Sequence, residues 1–372
     1  MVRFCKIATY IFFLYSILSC SNKEEFLIKG EILNLKNPHI LVTWLSADTV
    51  AIDTIHVDVK GKFSYKNKID TLTTFSLYLN NYESAAVVFA DKGQTLKVKG
   101  DALLPDLIEV NGNEINDDLT LFKTENRELL TQRGQLLLNL SKDLLLDTMG
   151  NNSMTLHDEI AKLQLLNHEL ISQAEEFIKS NPDRFSSLIL INNFFINSDN
   201  PLALERVLGY IEGEVAHTLY SARLKSYSEK INGSAEGAIT PYFKLKDKDG
   251  DELSSHEFRG KYLLLSFVST AGIESRETID LLKEAYREVN NDSVAFLTVY
   301  IDSDIYPVEY VENDSIPWVV VPEKRCWGSD IVDAFNVQYI PFNILITPDG
   351  NIKVRNIPAQ AVANAIRNST ED

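Results

Sequence analysis

Between residues 26 and about 112 the apolar residues come in short runs broken by turn residues. Ile40-Leu41-Val42-Thr43-Trp44, Ser76-Leu77-Tyr78-Leu79 and Ala86-Val87-Val88-Phe89-Ala90 are such runs, and Gly61-Lys62, Asp91-Lys92-Gly93 and Val110-Asn111-Gly112 punctuate the segment. Such β-prone runs at roughly ten-residue spacing predict a small antiparallel sandwich or barrel over 26–112. From residue 113 the period changes. Ile160, Leu163, Leu166, Leu170, Ala174 and Phe177 recur every three or four residues, which predicts an amphipathic helix. Asn181-Pro182 should stop it, since proline disfavours helix at the residue before it. Further helices are predicted to begin near Phe185 and Pro201, giving a helical region over 113–232. The Gly/Ser/Ala stretch 233–240 reads as a linker. Residues 241–372 then alternate strand and helix. Tyr262–Val268, Ala295–Ile301 and Phe342–Thr347 are apolar runs expected of strands buried on both faces. Helices are expected over 274–290, 330–335 and 359–368, and Pro348-Asp349-Gly350-Asn351 predicts a hairpin turn. The last segment is therefore an α/β layer.

A chain of 372 residues is long for one domain, which agrees with this division. Its 45% hydrophobic and 24% charged residues exclude a mostly disordered protein. Lys+Arg number 36 against 53 Asp+Glu, a formal charge of −17, and the acidity is spread along the chain. That balance favours solubility and argues against a nucleic-acid partner. Three cysteines cannot build a disulfide framework.

The amino terminus changes the picture of where the protein resides. Arg3 and Lys6 precede the apolar run Ile7–Leu18, too short for a membrane span but suited to a signal peptide. The run ends Ile17-Leu18-Ser19-Cys20, which resembles the bacterial lipoprotein signal. That resemblance implies removal of 1–19, lipid on Cys20, a tether over 20–25 and anchorage in the bacterial cell envelope. Lys23-Glu24-Glu25 also resembles a signal for export to the outer surface, where a receptor-accessory role would be open. Cleavage and lipidation would leave Cys326 as the one thiol of the mature chain.

Two further resemblances concern the domains. Phe26-x-Ile28-x-Gly30, Asp53-Thr54-Ile55 and Gly61-Lys62-Phe63-Ser64-Tyr65 resemble a small β-domain of unknown function that precedes thioredoxin domains in envelope lipoproteins. The last 130 or so residues resemble the thioredoxin-like superfamily, in its thiol–disulfide interchange and peroxidase-like branch. Four motifs in order carry this: Pro241–Leu245 with Asp249–Glu252, Arg259–Leu265, Val337-Gln338-Tyr339-Ile340-Pro341, and Leu345–Gly350. The resemblance implies a cis proline at Pro341 facing the active site.

The active-site motif itself is altered. Where active members read Trp-x-x-Trp-Cys-x-x-Cys-Arg, this chain reads Val268-Ser269-Thr270-Ala271-Gly272-Ile273-Glu274-Ser275-Arg276. Gly272 takes the place of the nucleophilic cysteine and Ser275 that of the resolving cysteine. Exchange needs a thiolate. Glycine has nothing to ionise, and a serine without a base is a poor nucleophile. His256, nineteen residues before Ser275, is the nearest histidine in sequence. Cys326, between basic Lys324-Arg325 and Trp327, is the remaining redox candidate.

The expectation is thus a redox-inactive thioredoxin-like lipoprotein holding a peptide or protein partner by strand addition at the Ile340–Pro341 backbone. Its groove would be lined by Ala271, Gly272, Ile273, Ile340, Pro341 and Phe342, with no cofactor beyond the lipid. The alternative is a thiol–disulfide oxidoreductase or peroxidase-like protein acting through Cys326.

Overall fold

The computed structural model describes residues 24–46, 49–80, 85–146, 153–196, 201–289, 291–302 and 316–370. The expected signal peptide and Cys20 lie outside them. The chain divides into two compact units, residues 1–197 with 209–218, and residues 198–208 with 219–372.

In the first unit eight strands precede four helices. The strands are β1 (Glu25–Leu33), β2 (His39–Ser46), β3 (Thr49–His56), β4 (Lys62–Lys68), β5 (Thr73–Tyr78), β6 (Ala85–Ala90), β7 (Thr95–Asp101) and β8 (Glu109–Asn111). They form two four-stranded sheets, β4-β1-β7-β8 and β3-β2-β5-β6. Alternation along β1 and β2 points Phe26, Ile28, Ile40 and Val42 into one shared core, each fully buried. Gly61 turns the chain from β3 into β4 at φ 79, with the Ile32 carbonyl so close that a Cβ would collide. The helices are α1 (Glu114–Glu125), α2 (Arg127–Leu146), α3 (Ser153–Ser180) and α4 (Phe185–Phe195). Asn113 caps α1 by accepting the Asn116 N–H at 3.0 Å. Buried Asn116 bonds both the N–H and the carbonyl of Phe89, tying α1 to β6.

The second unit starts with helices α5 (Pro201–Leu208) and α6 (Leu219–Gly233) and the small hairpin of β9 (Lys244–Lys246) and β10 (Glu252–Ser254). Its main sheet contains β11 (Tyr262–Val268), β12 (Val294–Tyr300), β13 (Val319–Pro322), β14 (Phe342–Ile346) and β15 (Ile352–Arg355), in the order β13-β12-β11-β14-β15. β11, β12 and β13 are parallel; β14 runs against them, and β15, antiparallel to β14, returns to their direction. Helices α7 (Ile273–Val289), α8 (Asp330–Ala334) and α9 (Val362–Thr370) complete it. The continuous apolar run of β11 is explained by cover on both faces. Leu263, Leu265 and Phe267 pack with Phe243, Ile331 and Phe335 on one side. Leu264 packs with Leu282 of α7 and Val362 of α9 on the other.

Two expectations are corrected. Residues 233–240 are no linker. Gly237 and Thr240 donate to the carbonyls of Ile352 and Gly350, Ile352 donates to Ala238, and Ile239 bridges Asn351. The helices of 113–232 are not one region either, because α5 and α6 fall in the second unit. Composition gave a linker signal there because small residues suit close backbone pairing as well as flexibility.

Candidate functional site

The parallel order of β11, β12 and β13 brings their carboxyl ends to one edge of the sheet. Val268 pairs with Tyr300, and Tyr300 with Pro322. β14 begins there too, because Phe267 pairs with Phe342. The loops 269–272, 301–302 and 323–329 and the Ile340–Pro341 peptide therefore share that edge. This is where ligands of open α/β sheets are held.

The first loop leads into α7. Asp302, which follows β12, organises it. Its carboxylate accepts the Ser269 hydroxyl and the Thr270 N–H, the latter at 2.8 Å. The Ser269 Oγ in turn accepts the N–H groups of Ala271 at 3.1 Å and Gly272 at 3.2 Å. Inside the first turn of α7, buried Ser275 accepts the Ser269 N–H at 3.0 Å. Ser275 is thus a structural acceptor, as its sequence position allowed. His256 sits ahead of the amino end of β11 with its ring 5.2 Å from that of Tyr242, whereas Ser275 follows the carboxyl end of that strand.

Gly272 decides what this backbone can still accommodate. A Cβ placed on it would lie 3.3 Å from the Ser275 Oγ, 3.5 Å from the Ser269 Cβ and 3.6 Å from the Ser275 Cβ. No positive φ excludes a side chain. Cβ atoms bridged by a disulfide lie about 3.5–4.5 Å apart. The Cβ separation at 272 and 275 therefore falls in the range a disulfide bridges, with neither sulfur present.

The Ile340–Pro341 bond is cis. Ile340 and Pro341 are half-buried, Ala271 is exposed and Ile273 is 74% exposed. Phe342 corrects the expected groove lining. It is 5% exposed and belongs to the core beneath Tyr339, whose ring meets it edge-on at 5.3 Å. Its place on the surface is taken by Tyr339, with Trp327 from the 323–329 loop also exposed at this sheet edge. Behind Phe342, Arg355 lies 5.2 Å above the ring and donates to the Phe335 carbonyl at 2.9 Å, bracing the turn before Ile340. Burial lowers the Arg355 pKa from the ordinary guanidinium value.

Cys326 opens the short 3-10 turn Cys326–Gly328 with φ 51 and is half-buried. Of its two basic neighbours, Lys324 and Arg325, the second is engaged by carboxylates. Arg325 pairs with Asp330 at 2.9 Å and approaches Glu323 at 3.7 Å. These carboxylates raise the Arg325 pKa, and Arg325 holds Asp330 below the usual carboxylate range. The Arg325 charge that would favour a thiolate is compensated locally.

Asp302 and Arg355 escaped the sequence reading. A carboxylate directly after the buried run ending at Ile301 was the available signal for the first. Nothing local marks the second, because its acceptors are about twenty residues and more away. Among the described residues no group of three His, Cys, Asp or Glu side chains is placed to hold a metal ion.

Comparison with known proteins agrees with this architecture. Residues 260–352 match the family model described as Thioredoxin-like, and residues 26–119 match a domain of unknown function (DUF4369). The thiol-disulfide oxidoreductase ResA of Bacillus cereus is 24% identical over 147 residues, 39% of this chain and 81% of that protein. ResA of Bacillus subtilis is 24% identical over 159 residues, covering 42% and 81%. Among solved structures, a thiol-disulfide oxidoreductase from Bacteroides fragilis aligns with 27% identity and a TM-score of 0.32, over 35% of this chain and 98% of that one. A thioredoxin-like protein from Bacteroides caccae aligns at 17% identity with a TM-score of 0.41, over 59% and 86%. The chain thus carries a thioredoxin-like domain with thiol-disulfide oxidoreductase relatives, preceded by a DUF4369 domain.

Proposed function

We propose that this protein is a thioredoxin-like binding module of the bacterial envelope, anchored through lipid on Cys20, that does not perform thiol–disulfide exchange. One observation carries the reading: Gly272 and Ser275 stand at a Cβ separation that a disulfide bridges, with neither sulfur present. The Ile340 backbone beside the cis proline offers main-chain groups to an extended segment, which needs no thiol. Exposed Ile273, Tyr339 and Trp327 at the same sheet edge suit an apolar peptide or protein surface.

The test is reduction of insulin disulfides by the purified protein beside its Cys326→Ser variant. Background rates in both are expected. Activity in the wild type that disappears in the variant would overturn the reading in favour of single-thiol chemistry at Cys326, the reaction class in the relatives' names.

A further inference from the structure

The β4-β1-β7-β8 sheet turns a lysine-rich face outward. Its inward residues, Ile28, Tyr65, Leu96 and Val98 among them, belong to the core of the sandwich. Alternation leaves Ser64, Lys29, Lys97 and Asn111 on the opposite face, all exposed. Register sets these four in one row across the strands: Ser64 beside Lys29, Lys29 beside Lys97, Lys97 beside Asn111. Two positive side chains thus stand on neighbouring strands, whose backbones run about 4.7–4.9 Å apart.

The flanking rows are balanced. One reads Lys62, Glu31, Lys99, Glu109 and alternates in sign. In it Lys62 approaches Glu31 at 4.0 Å, and Glu109 is also taken by Arg127 at 2.5 Å. The other contains Lys66, Leu27 and Thr95, with Lys66 paired to Glu25. The carboxylates of both rows are therefore matched to other cations, and among the described residues neither Lys29 nor Lys97 forms an ion pair. Like charges side by side on a sheet are destabilising, so the pair calls for a reason. Edge protection is not that reason, because β1 and β7 are interior strands. Solubility is not either, because the chain carries a formal charge of −17 and each lysine subtracts from it.

We propose that the row Ser64, Lys29, Lys97, Asn111 is a binding site for a phosphate group. The two ammonium groups supply the charge, lysine acting on phosphate as a point charge. The Ser64 hydroxyl and the Asn111 amide add neutral donors at either end. A phosphate presents oxygens on several sides, so donors from both strands reach it at once; a carboxylate has only two oxygens to share among them. The face is flat and has no walls, so it reads the phosphate and not the molecule that carries it. A soluble phosphate ester and a lipid headgroup offer the same chemistry here. Binding to a face this exposed weakens with added salt.

The test uses the full-length chain in neutral detergent micelles, its lysines dimethylated with carbon-13, which keeps their charge. Signals of positions 29, 97, 62 and 99 are assigned from Lys→Gln variants. One arm adds pyrophosphate, and the other adds phosphatidylglycerol to the micelles. The Lys29 and Lys97 signals are expected to move and those of Lys62 and Lys99 to move much less. Lys29→Gln should weaken the response of Lys97 by roughly three- to fivefold, the size of one exposed ion pair. Lys36→Gln, an equal change of charge at an exposed loop position outside the row, should leave it unaltered. A response to pyrophosphate alone assigns the site to soluble esters, and one to phosphatidylglycerol alone assigns it to lipid headgroups. Equal movement of every lysine signal, no movement at 29 and 97 in either arm, or a Lys97 response indifferent to Lys29→Gln would overturn the site.

Discussion

Two loops at one edge of the second unit each hold half of what thiol chemistry needs. The loop before α7 has the spacing, with positions 272 and 275 at a Cβ separation that a disulfide bridges, but glycine and serine occupy them. The loop after β13 has the thiol, Cys326, but its flanking guanidinium is spent on Asp330 and Glu323. Fold and reaction are therefore separable. The Asp302–Ser269 network that shapes the first loop is complete without a sulfur, so the architecture of this loop does not depend on one.

The largest effect expected from this contrast is a gain. The double variant Gly272→Cys/Ser275→Cys should form an intramolecular disulfide, seen as loss of two titratable thiols on oxidation, and should reduce insulin where the parent does not. The helix amino terminus supports a thiolate there, while Glu274 in the same turn opposes it. A double variant that stays dithiol under oxidising conditions would mean that the loop does not hold this geometry in solution.

Next in size is Asp302→Ala. It removes a half-buried carboxylate that accepts one hydroxyl and one N–H. Bonds to charged groups contribute about 1.5–3 kcal/mol each, and water can replace part of both at this half-buried carboxylate, so a loss of about 2–3 kcal/mol is expected in denaturant unfolding of the second unit. In the double-cysteine background it should also slow exchange. An unchanged midpoint would show that the loop is held by other contacts.

The smallest effect concerns the other loop. Asp330→Asn should release Arg325 and speed alkylation of Cys326 near neutral pH, by a few-fold. The pH sign follows from Asp330, whose folded pKa is depressed by Arg325. Its pairing is complete above the ordinary carboxylate value and is lost as pH falls through the lower folded one. The alkylation difference between parent and variant should therefore persist across neutral and mildly acidic pH. An equal rate in both proteins would remove Arg325 from the account.

Much of the second unit could be read from residues because its signals are local. The run Tyr262–Val268 is apolar throughout because layers cover both faces, and the 340–350 motifs mark β14 and its hairpin. β13 was missed because it has four residues, the last of them Pro322, too short for periodicity to register. Of the candidate site, the substituted positions 272 and 275 were legible, since they are identities in a motif. What holds them was not, because Asp302 reaches its loop across about thirty residues of sequence. Phe342 was misplaced for a related reason: alternation says that a strand residue faces in or out, but not which face bears the groove. The sandwich was legible as strands, whereas the lysine row on its outer face depends on the register of β1 with β7.

The pairing of residues 237–240 with the β14–β15 hairpin sets the size of the cooperative folding unit. Gly237 and Thr240 complete a hydrogen-bonded seam along β15, and Arg355 of that strand reaches back to the Ser234 carbonyl. Opening the seam exposes β15 and unfastens the end of α6 together. The amides of Gly237, Thr240 and Ile352 should accordingly exchange with solvent as a group, at the rate of the sheet's own unfolding. A fragment cut at residue 241 would begin inside that unit.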